Sequence, residues 1–391
     1  MGVFDGVKVL DFTHTLAGPL GSMLLADMGC EVVKVEVPEG ELFRKAYRPK
    51  ISPDCSYIFF NINRNKRSIT LDIKHPKGRE IALKLAESAD VLLENFRPGV
   101  MKRLGLDYES IVKINPKIIY CSLSAYGQSG PYSRKPGYDI VVKADAGYMT
   151  ATGWKGSPPI AGPPGSVDII AGIYLAFAVA SALFGRAKDQ KGEWIDLSLF
   201  DVTTLLIGIY STGSYFIDGE DVQNWAIIRE DGTVMPGHPV FAPFEGYKTK
   251  DNRWIIIAAL TNKLWIDLCH ALHLDELARD KRFATPNARI ENKKELRSIL
   301  SDAFSKMTLN EALDVVEKGG VPCAPVRTTR EALKHPQVEA RRMLVEVPFW
   351  NGRKFKIVGQ PAKFLNHPVR DLSPAPALGE NTVEKPKEAC A

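Results

Sequence analysis

Between Pro163 and Gly185 the chain reads PPGSVDIIAGIYLAFAVASALFG, and Asp168 is the only carboxylate in that run. No other charged side chain follows it until Arg186. Pro, Gly and Ser ahead of a long apolar stretch mark a loop turning into a helix. An aspartate at such a start has two uses. It can cap the helix, accepting from amides that lack a partner inside it and suiting the positive end of the helix dipole. With an oxygen left over, it can also attack an electrophilic carbonyl as a covalent nucleophile. The spacing of the apolar residues does not separate the two.

Other segments hold residues able to bind or react. In THTLAGPLG (13–21), Gly18, Pro19 and Gly21 precede a helix, so open amides there could meet a phosphate or carboxylate, or simply form a tight turn. Neither GxGxxG nor GxxxxGK[ST] occurs in it. NFRPG (95–99) sits where a strand gives way to a helix, with Arg97, Lys102 and Arg103 as cations that could bind an anion or face solvent. Arg64, Lys66 and Arg67 in NRNKRS are open to the same two readings. Asp139 is either a site acid or the partner of Arg134 or Lys135, and His14 either faces a crevice or is satisfied by backbone. Six scattered cysteines without a CxxC pair, and seven dispersed histidines, argue against a disulfide framework and a metal site. His270 and His273 could share a helix face, but no third ligand lies near them in sequence.

The elements that must position these residues alternate. VKVLDF (7–12), EVVKVEV, KRSITLDI, DVLLENF and KIIYCSLSAYG read as strands. Between them lie helical stretches at GSMLLADMG, from Lys77 to about Ala89, and through MKRLGLDYESIVKI. This alternation predicts an α/β fold with a mostly parallel sheet, whose sites gather at the carboxyl ends of the strands. The loops Thr13–Gly18, Asn95–Gly99 and Ala125–Asp139 should then face one crevice. GEWIDLSLFDVTTLL continues the pattern as strand then helix. Residues 215–245 are irregular, and 225–330 read as a smaller α+β domain. That domain contains a hairpin turning at KDNR, helices from Lys263 and through RIENKKELRSILSDAF, and a capping box at Thr308 and Glu311. A second hairpin turns at Asn351-Gly352, an NG pair that favours a type I′ turn, and the tail from Pro374 should be extended.

The chain has 391 residues, 45% hydrophobic and 25% charged, the balance of a globular protein with a large core. A net charge of +5, dispersed along the sequence, does not indicate nucleic acid. The start, MGVFDGVKVLDF, lacks the features of a signal peptide. The apolar run after Asp168 suits a buried helix better than a membrane span. A cytoplasmic protein with reduced thiols is expected.

With GVKVLDFTHTLAGP, EVVKVE, NRNKRSITLDIKHPKG, LLENFRPGVMKRLGL, YGQSGPYSRKPGYD, the Asp168 helix, GHP at 237–239 and LGENT in this order, the sequence resembles the family III CoA-transferases. That group includes formyl-CoA transferase and the carnitine CoA-transferase-like proteins. The resemblance implies an interlocked homodimer. Each chain has a Rossmann-like large domain, here 1–224 completed by 331–391, and a smaller domain at 225–330. It implies that Asp168 is the covalent catalyst, with His14, Leu16, Ala17, Gly18, Tyr138 and Asp139 as active-site candidates. The family's CoA contacts fall on Leu71, Lys74, Asn95, Phe96 and Arg103, and Lys135 lies one position from another. Coenzyme A is a substrate and product, and no tightly bound cofactor is implied. The sequence departs from a well-understood family member at Leu16, where that protein has glutamine, and at Val37, where it has arginine. Its glycine-rich closing loop has no counterpart here.

The same resemblance implies transfer of CoA from a thioester to a free acid through anhydride and aspartyl-CoA intermediates. Succinyl-CoA with a small dicarboxylic acid is the expected pair by family frequency. Two other readings are weighed. In the 2-methylacyl-CoA racemases of this superfamily a histidine stands in place of Tyr138, and a tyrosine is a poor base near neutral pH. A non-catalytic CoA-binding protein would not need Asp168.

Overall fold

A computed structural model describes residues 2–153, 157–218, 226–228, 234–237, 241–367, 369 and 371–382. Six strands form one all-parallel sheet: β1 (Lys8–Asp11), β2 (Glu31–Glu36), β3 (Lys66–Thr70), β4 (Val91–Glu94), β5 (Ile119–Ser124) and β6 (Glu193–Ser198). Their spatial order is β3-β2-β1-β4-β5-β6. The chain therefore winds outward from β1 to β3, then returns to start β4 beside β1. Such a reversal leaves a crevice beyond the carboxyl ends of β1 and β4.

Helices cover both faces of the central strands, which are therefore buried along almost their whole length, whereas the edge strand β6 is exposed at half of its residues. On one side Val9, Val32, Val91, Leu93 and Cys121 pack on α1 (Ala17–Asp27) and on the long Asp168 helix. On the other, Leu10, Val33, Leu92 and Tyr120 meet α2 (Pro76–Glu87), α3 (Val100–Leu104) and α4 (Tyr108–Ile111). MKRLGLDYESIVKI is thus two short helices rather than one, because Gly105 takes φ 65° and ends the first. Beyond β5 come α5 (Asp139–Asp145), α6 (Ser166–Asp189) and α7 (Leu199–Gly213).

The helix α6 is the expected apolar helix, but it is not buried all round. Val167, Ala171, Gly172, Leu175 and Val179 are buried. On the remaining surface Ile169, Ile173, Phe177 and Phe184 are exposed, Phe177 at 63%. By length and composition α6 could cross a membrane. Its inner stripe instead lies parallel to α1 at close range. A Cβ on Gly172 would sit 2.7 Å from the Ala17 carbonyl oxygen, and one on Gly21 would sit 2.7 Å from Leu175 Cδ2. The two glycines let these helices approach with their amino ends side by side.

Contacts divide the chain into two units, one of 1–146, 163–209 and 335–391, the other of 147–162 and 210–334. The composition boundaries at 225 and 330 mark where Gly and Pro gather, whereas these mark where packing partners change. The excursion 147–162 is also rich in Gly and Pro, but the domain boundaries read from the sequence do not set it apart. In the second unit β7 (Phe244–Lys248), β8 (Trp254–Ala258) and β9 (Cys323–Pro325) form an antiparallel sheet. It packs on α8 (Asn262–Ala271), α10 (Lys293–Ser305) and α11 (Leu309–Lys318) around Trp265, Phe283 and Phe304. RIENKKELRSILSDAF is broken at Asn292, which separates α9 (Pro286–Glu291) from α10. The capping box is present, with the Thr308 amide donating to Glu311 at 2.7 Å. His270 pairs with Asp275, and His273 lies beyond the end of α8, so the two histidines do not share a helix face.

In the first unit β10 (Leu344–Pro348) and β11 (Lys354–Val358) pair antiparallel. Their turn is not the two-residue type I′ form. The Phe349 amide donates to the Arg353 carbonyl at 2.7 Å, and only Gly352 takes a positive φ, which leaves a three-residue loop with glycine in the left-handed position. The tail is irregular but anchored. Ala375 is buried, the Arg44 guanidinium donates to the Pro376 carbonyl at 3.1 Å, and the Asn381 amide donates to the Ser68 carbonyl at 2.8 Å.

Candidate active site

Asp168 is the third residue of α6, not its cap. The N-cap is Gly165, which has φ 68° and no side chain to offer, and whose added Cβ would lie 2.5 Å from Leu16 Cδ2. Capping comes from another segment. Asp139, the first residue of α5, accepts through Oδ1 from the amides of Val167 at 2.9 Å and Asp168 at 3.3 Å. Its Oδ2 lies 2.7 Å from Nζ of Lys143. Asp139 thus pairs with Lys143, one turn along its own helix, rather than with Arg134 or Lys135.

The division of labour frees Asp168. Its half-buried carboxylate has no hydrogen-bond partner among the described residues. Burial pushes it up to about 7, the Asp139 carboxylate adds to the rise, and the Lys143 ammonium offsets part of it. It sits one turn above Gly172 on the face that meets α1. There α1 begins with Leu16 as N-cap and Ala17 and Gly18 in its first turn, whose amides have no acceptor among the described residues. A carboxylate able to ionise near neutrality therefore stands close to open backbone donors.

A buried polar network holds that loop. Asp11, at the end of β1, accepts from the Thr13 amide at 2.9 Å, Ser22 Oγ at 2.6 Å and Lys66 Nζ at 3.2 Å. Lys34 donates to the Thr13 carbonyl at 2.7 Å and pairs with Glu41 at 3.2 Å, while Glu41 accepts from the Thr15 amide at 2.7 Å. Arg64 pairs with Asp27 at 2.7 Å. Arg64 and Lys66 are therefore interior groups, not a solvated face, whereas Arg67 stays at the surface with Glu31.

The loops after β1 and β4 meet at the crevice. The His14 amide donates to Asn95 Oδ1 at 2.9 Å, and Asn95 Nδ2 donates to the His14 carbonyl at 2.9 Å. Asn95 is thus occupied as a staple between loops. His14 lies 5.4 Å from Phe96, ring centre to ring centre. Burial and the Lys34 charge lower it to about 4, so it is a neutral imidazole at physiological pH.

The three loops line two clefts rather than one, on either side of Asn95–Gly99. One, of about 270 Å³, brings His14, Leu71 and Phe96 together with Val37 and Ile73 at the ends of β1, β2 and β3. The other, of about 760 Å³, is lined by Arg97, Arg103, Arg134 and the exposed Trp194, with the buried Glu94 among its walls. Glu94 accepts from the Phe96 amide at 2.9 Å, and burial pushes it up to about 7. Lys74 is exposed and lines neither cleft. Lys135 lies over the Tyr132 ring at 3.4 Å, and Tyr138 caps α5 with its ring 65% exposed. His238 lies outside the described residues. Lys143, Asp11, Lys34 and Glu94 were not singled out from the sequence. Lys143 had a usable signal, its place four residues after Asp139 on a helix.

Comparison with known proteins gives a consistent picture. The model of CoA-transferase family III matches residues 4–382. An acetyl-CoA:oxalate CoA-transferase of Acetobacter aceti is 36% identical, covering 100% of this chain and 96% of that protein. The human succinyl-CoA:glutarate CoA-transferase is 34% identical over 98% of this chain and 85% of its own length. Among solved structures, a CaiB/BaiF family protein from Brucella suis superposes with a TM-score of 0.84 at 33% identity, covering 99% of both chains. Rv3272 of Mycobacterium tuberculosis gives 0.85 at 30% identity over 98% of each.

Proposed function

The chain belongs to family III of the CoA-transferases and is an acyl-CoA:carboxylate CoA-transferase; we propose that it works by covalent catalysis on Asp168, with succinyl-CoA as donor and a small dicarboxylic acid as acceptor. The observation that carries the covalent reading is that Asp139, not Asp168, caps α6, which leaves the Asp168 carboxylate without a partner among the described residues. The substrate reading rests on the relatives' names, since oxalate and glutarate are both dicarboxylic acids.

An Asp168 oxygen attacks the donor thioester carbonyl, the C–S bond breaks, and an acyl-aspartyl anhydride forms with release of CoA thiolate. The thiolate attacks the aspartyl carbonyl, the donor acid leaves as its carboxylate, and an aspartyl-CoA thioester remains. The acceptor carboxylate attacks that thioester and again frees the thiolate, giving a second anhydride. Thiolate attack on the acceptor's carbonyl then yields the new acyl-CoA and restores Asp168. Each addition develops an oxyanion, and the amides of Leu16, Ala17 and Gly18 are the donors assigned to it. The bound CoA tail keeps the thiolate beside the anhydride.

In this reading Leu71 and Phe96 flank the adenine within the apolar cleft that they share with His14. Asn95 braces the loop, Arg103 and Lys74 meet phosphate oxygens, and Lys135 is a further basic contact. Arg103→Ala and Lys74→Ala should each raise KM for acyl-CoA roughly 3- to 10-fold with kcat little changed, as measured by steady-state kinetics. Tyr138 and Asp139 border the acyl group. Residues 1–224 and 331–391 form the large domain that carries CoA, and 225–330 the smaller domain. Val37 and Leu16 leave this pocket less polar than one built with arginine and glutamine.

The exposed apolar side chains Ile169, Ile173 and Phe177 on α6, with Leu205 and Ile209 on α7, support a homodimer, which we take to be interlocked. Sedimentation velocity should give twice the chain mass and show no dissociation at nanomolar concentration, and Phe177→Asp should lower Tm without releasing a folded monomer. Free thiols at Cys30, Cys55, Cys121, Cys269 and Cys323 favour a reducing cytoplasm.

A further inference from the structure

The head of α6 is held by two side chains of α5 acting in series. Gly165 caps the helix without a side chain, so the amides of Val167 and Asp168 depend on an outside acceptor. Oδ1 of Asp139 takes both, at 2.9 and 3.3 Å. Oδ2 of the same carboxylate is 2.7 Å from Lys143 Nζ, which also donates to the Pro163 carbonyl at 2.8 Å. Lys143 is 1% exposed. One ammonium thus ties α5 to the loop that leads into α6, and its partner carboxylate ties α5 to the first turn.

An ion pair at this depth gives little net stability compared with a well-packed apolar pair. Its placement is informative for another reason: one of the two amides it fixes belongs to the residue read above as the nucleophile. We propose that Lys143 is a positioning residue for Asp168. Through Asp139 it fixes the first turn of α6, and as the positive member of the pair it sets the pH range in which Asp168 is an anion able to attack. This rests on the reading of Asp168 as nucleophile.

The charges around Asp168 make the sign definite. Asp139 and Lys143 are the charged groups that reach it from α5, one opposing its ionisation and the other favouring it. On its own helix the next charge is Arg186, several turns away. In α1 the only charged residue is Asp27, at the far end, and the loop before α1 presents the neutral imidazole of His14. Removing the negative charge at 139 should let Asp168 ionise at lower pH, and removing the positive charge at 143 should have the opposite effect. At the effective dielectric of such sites each change should be about one pH unit.

The test is a carbon-13 carboxyl titration of the full-length protein labelled at aspartate, with Asp168→Asn assigning the resonance. Asp139→Asn should move the Asp168 midpoint down, because asparagine keeps the acceptor oxygen and loses the charge. Lys143→Gln should move it up, and Lys143→Arg should restore the wild-type value. The acid limb of kcat should follow in the same directions. An Asp168 midpoint that stays put in both Asp139→Asn and Lys143→Gln, or moves the same way in both, would overturn the proposal. If Lys143→Gln does not fold, Lys143→Met, which fills the buried space without the charge, should move the midpoint up in its place, and an unmoved midpoint there would overturn the proposal. The titration needs no substrate. Failure of wild type to form any CoA adduct would therefore count against Asp168 as nucleophile, and an unmoved midpoint would count against the role of Lys143.

Discussion

Asp168→Ala is expected to lose CoA transfer by roughly 10⁴-fold or more, the scale on which covalent catalysts depend on their nucleophile. Brief exposure of wild type to succinyl-CoA should leave a CoA-sized adduct, visible by intact mass and cleavable by hydroxylamine, and the variant should show none. The loss should not come from misfolding. The Asp168 carboxylate has no hydrogen-bond partner among the described residues, and its burial beside Asp139 opposes ionisation. A carboxyl whose folded pKa lies above its unfolded value costs stability as pH rises from near 4 to about 7, and removing it relieves that cost. The variant should therefore melt no lower than wild type at pH 8. Turnover above about 1% of wild type with a normal melting curve would remove Asp168 from the chemistry.

The sheet was legible because its signals are local. VKVLDF, EVVKVEV and KIIYCSLSAYG are short apolar runs between turn residues, and each lies on a strand of the observed order. The head of α6 was not legible in this way. Pro, Gly and Ser ahead of an acid at a helix start suit a capping aspartate, yet the cap is Asp139, which reaches the Val167 amide from 28 residues away. No periodicity encodes a contact made by tertiary packing. The same holds for NRNKRS, where the sequence left Arg64 and Lys66 open between binding an anion and facing solvent, and they are buried because Asp27 and Asp11 meet them from the first helix and first strand. Breaks within helices were half visible. Gly105 stood in the sequence, but only its positive φ shows that it ends α3. Ordered motifs, rather than local pattern, singled out Asp168.

Asp11→Ala should be the most destabilising single change near the site. Burial alone would raise the Asp11 carboxyl, but the Lys66 and Lys34 ammonium groups, with Ser22 and Thr13, hold it below its ordinary value. Lys66 is fully enclosed, donating also to the Pro19 carbonyl at 2.9 Å and to Asn63 Oδ1 at 2.8 Å. Alanine at 11 leaves Lys66 without its carboxylate in the interior and releases the Thr13 amide and Ser22 together. Breaking a buried pair from one side costs about 3–5 kcal/mol. For a unit of this size that lowers Tm by roughly 10 °C, measurable by calorimetry. Asp11→Asn keeps an acceptor and should cost less, about 1–3 kcal/mol, while still loosening the loop that presents the amides of Leu16 to Gly18. Its kcat should therefore fall further than its Tm implies. The double variant Asp11→Asn with Lys66→Met should regain part of the lost stability, because it removes the orphaned charge along with its partner. It should not regain kcat, since methionine cannot donate to the Pro19 carbonyl or anchor the first turn of α1. If Asp11→Ala instead melted with wild type, the network would be incidental to the loop, and the amides of Leu16 to Gly18 would have to be held in place by packing on α6 alone.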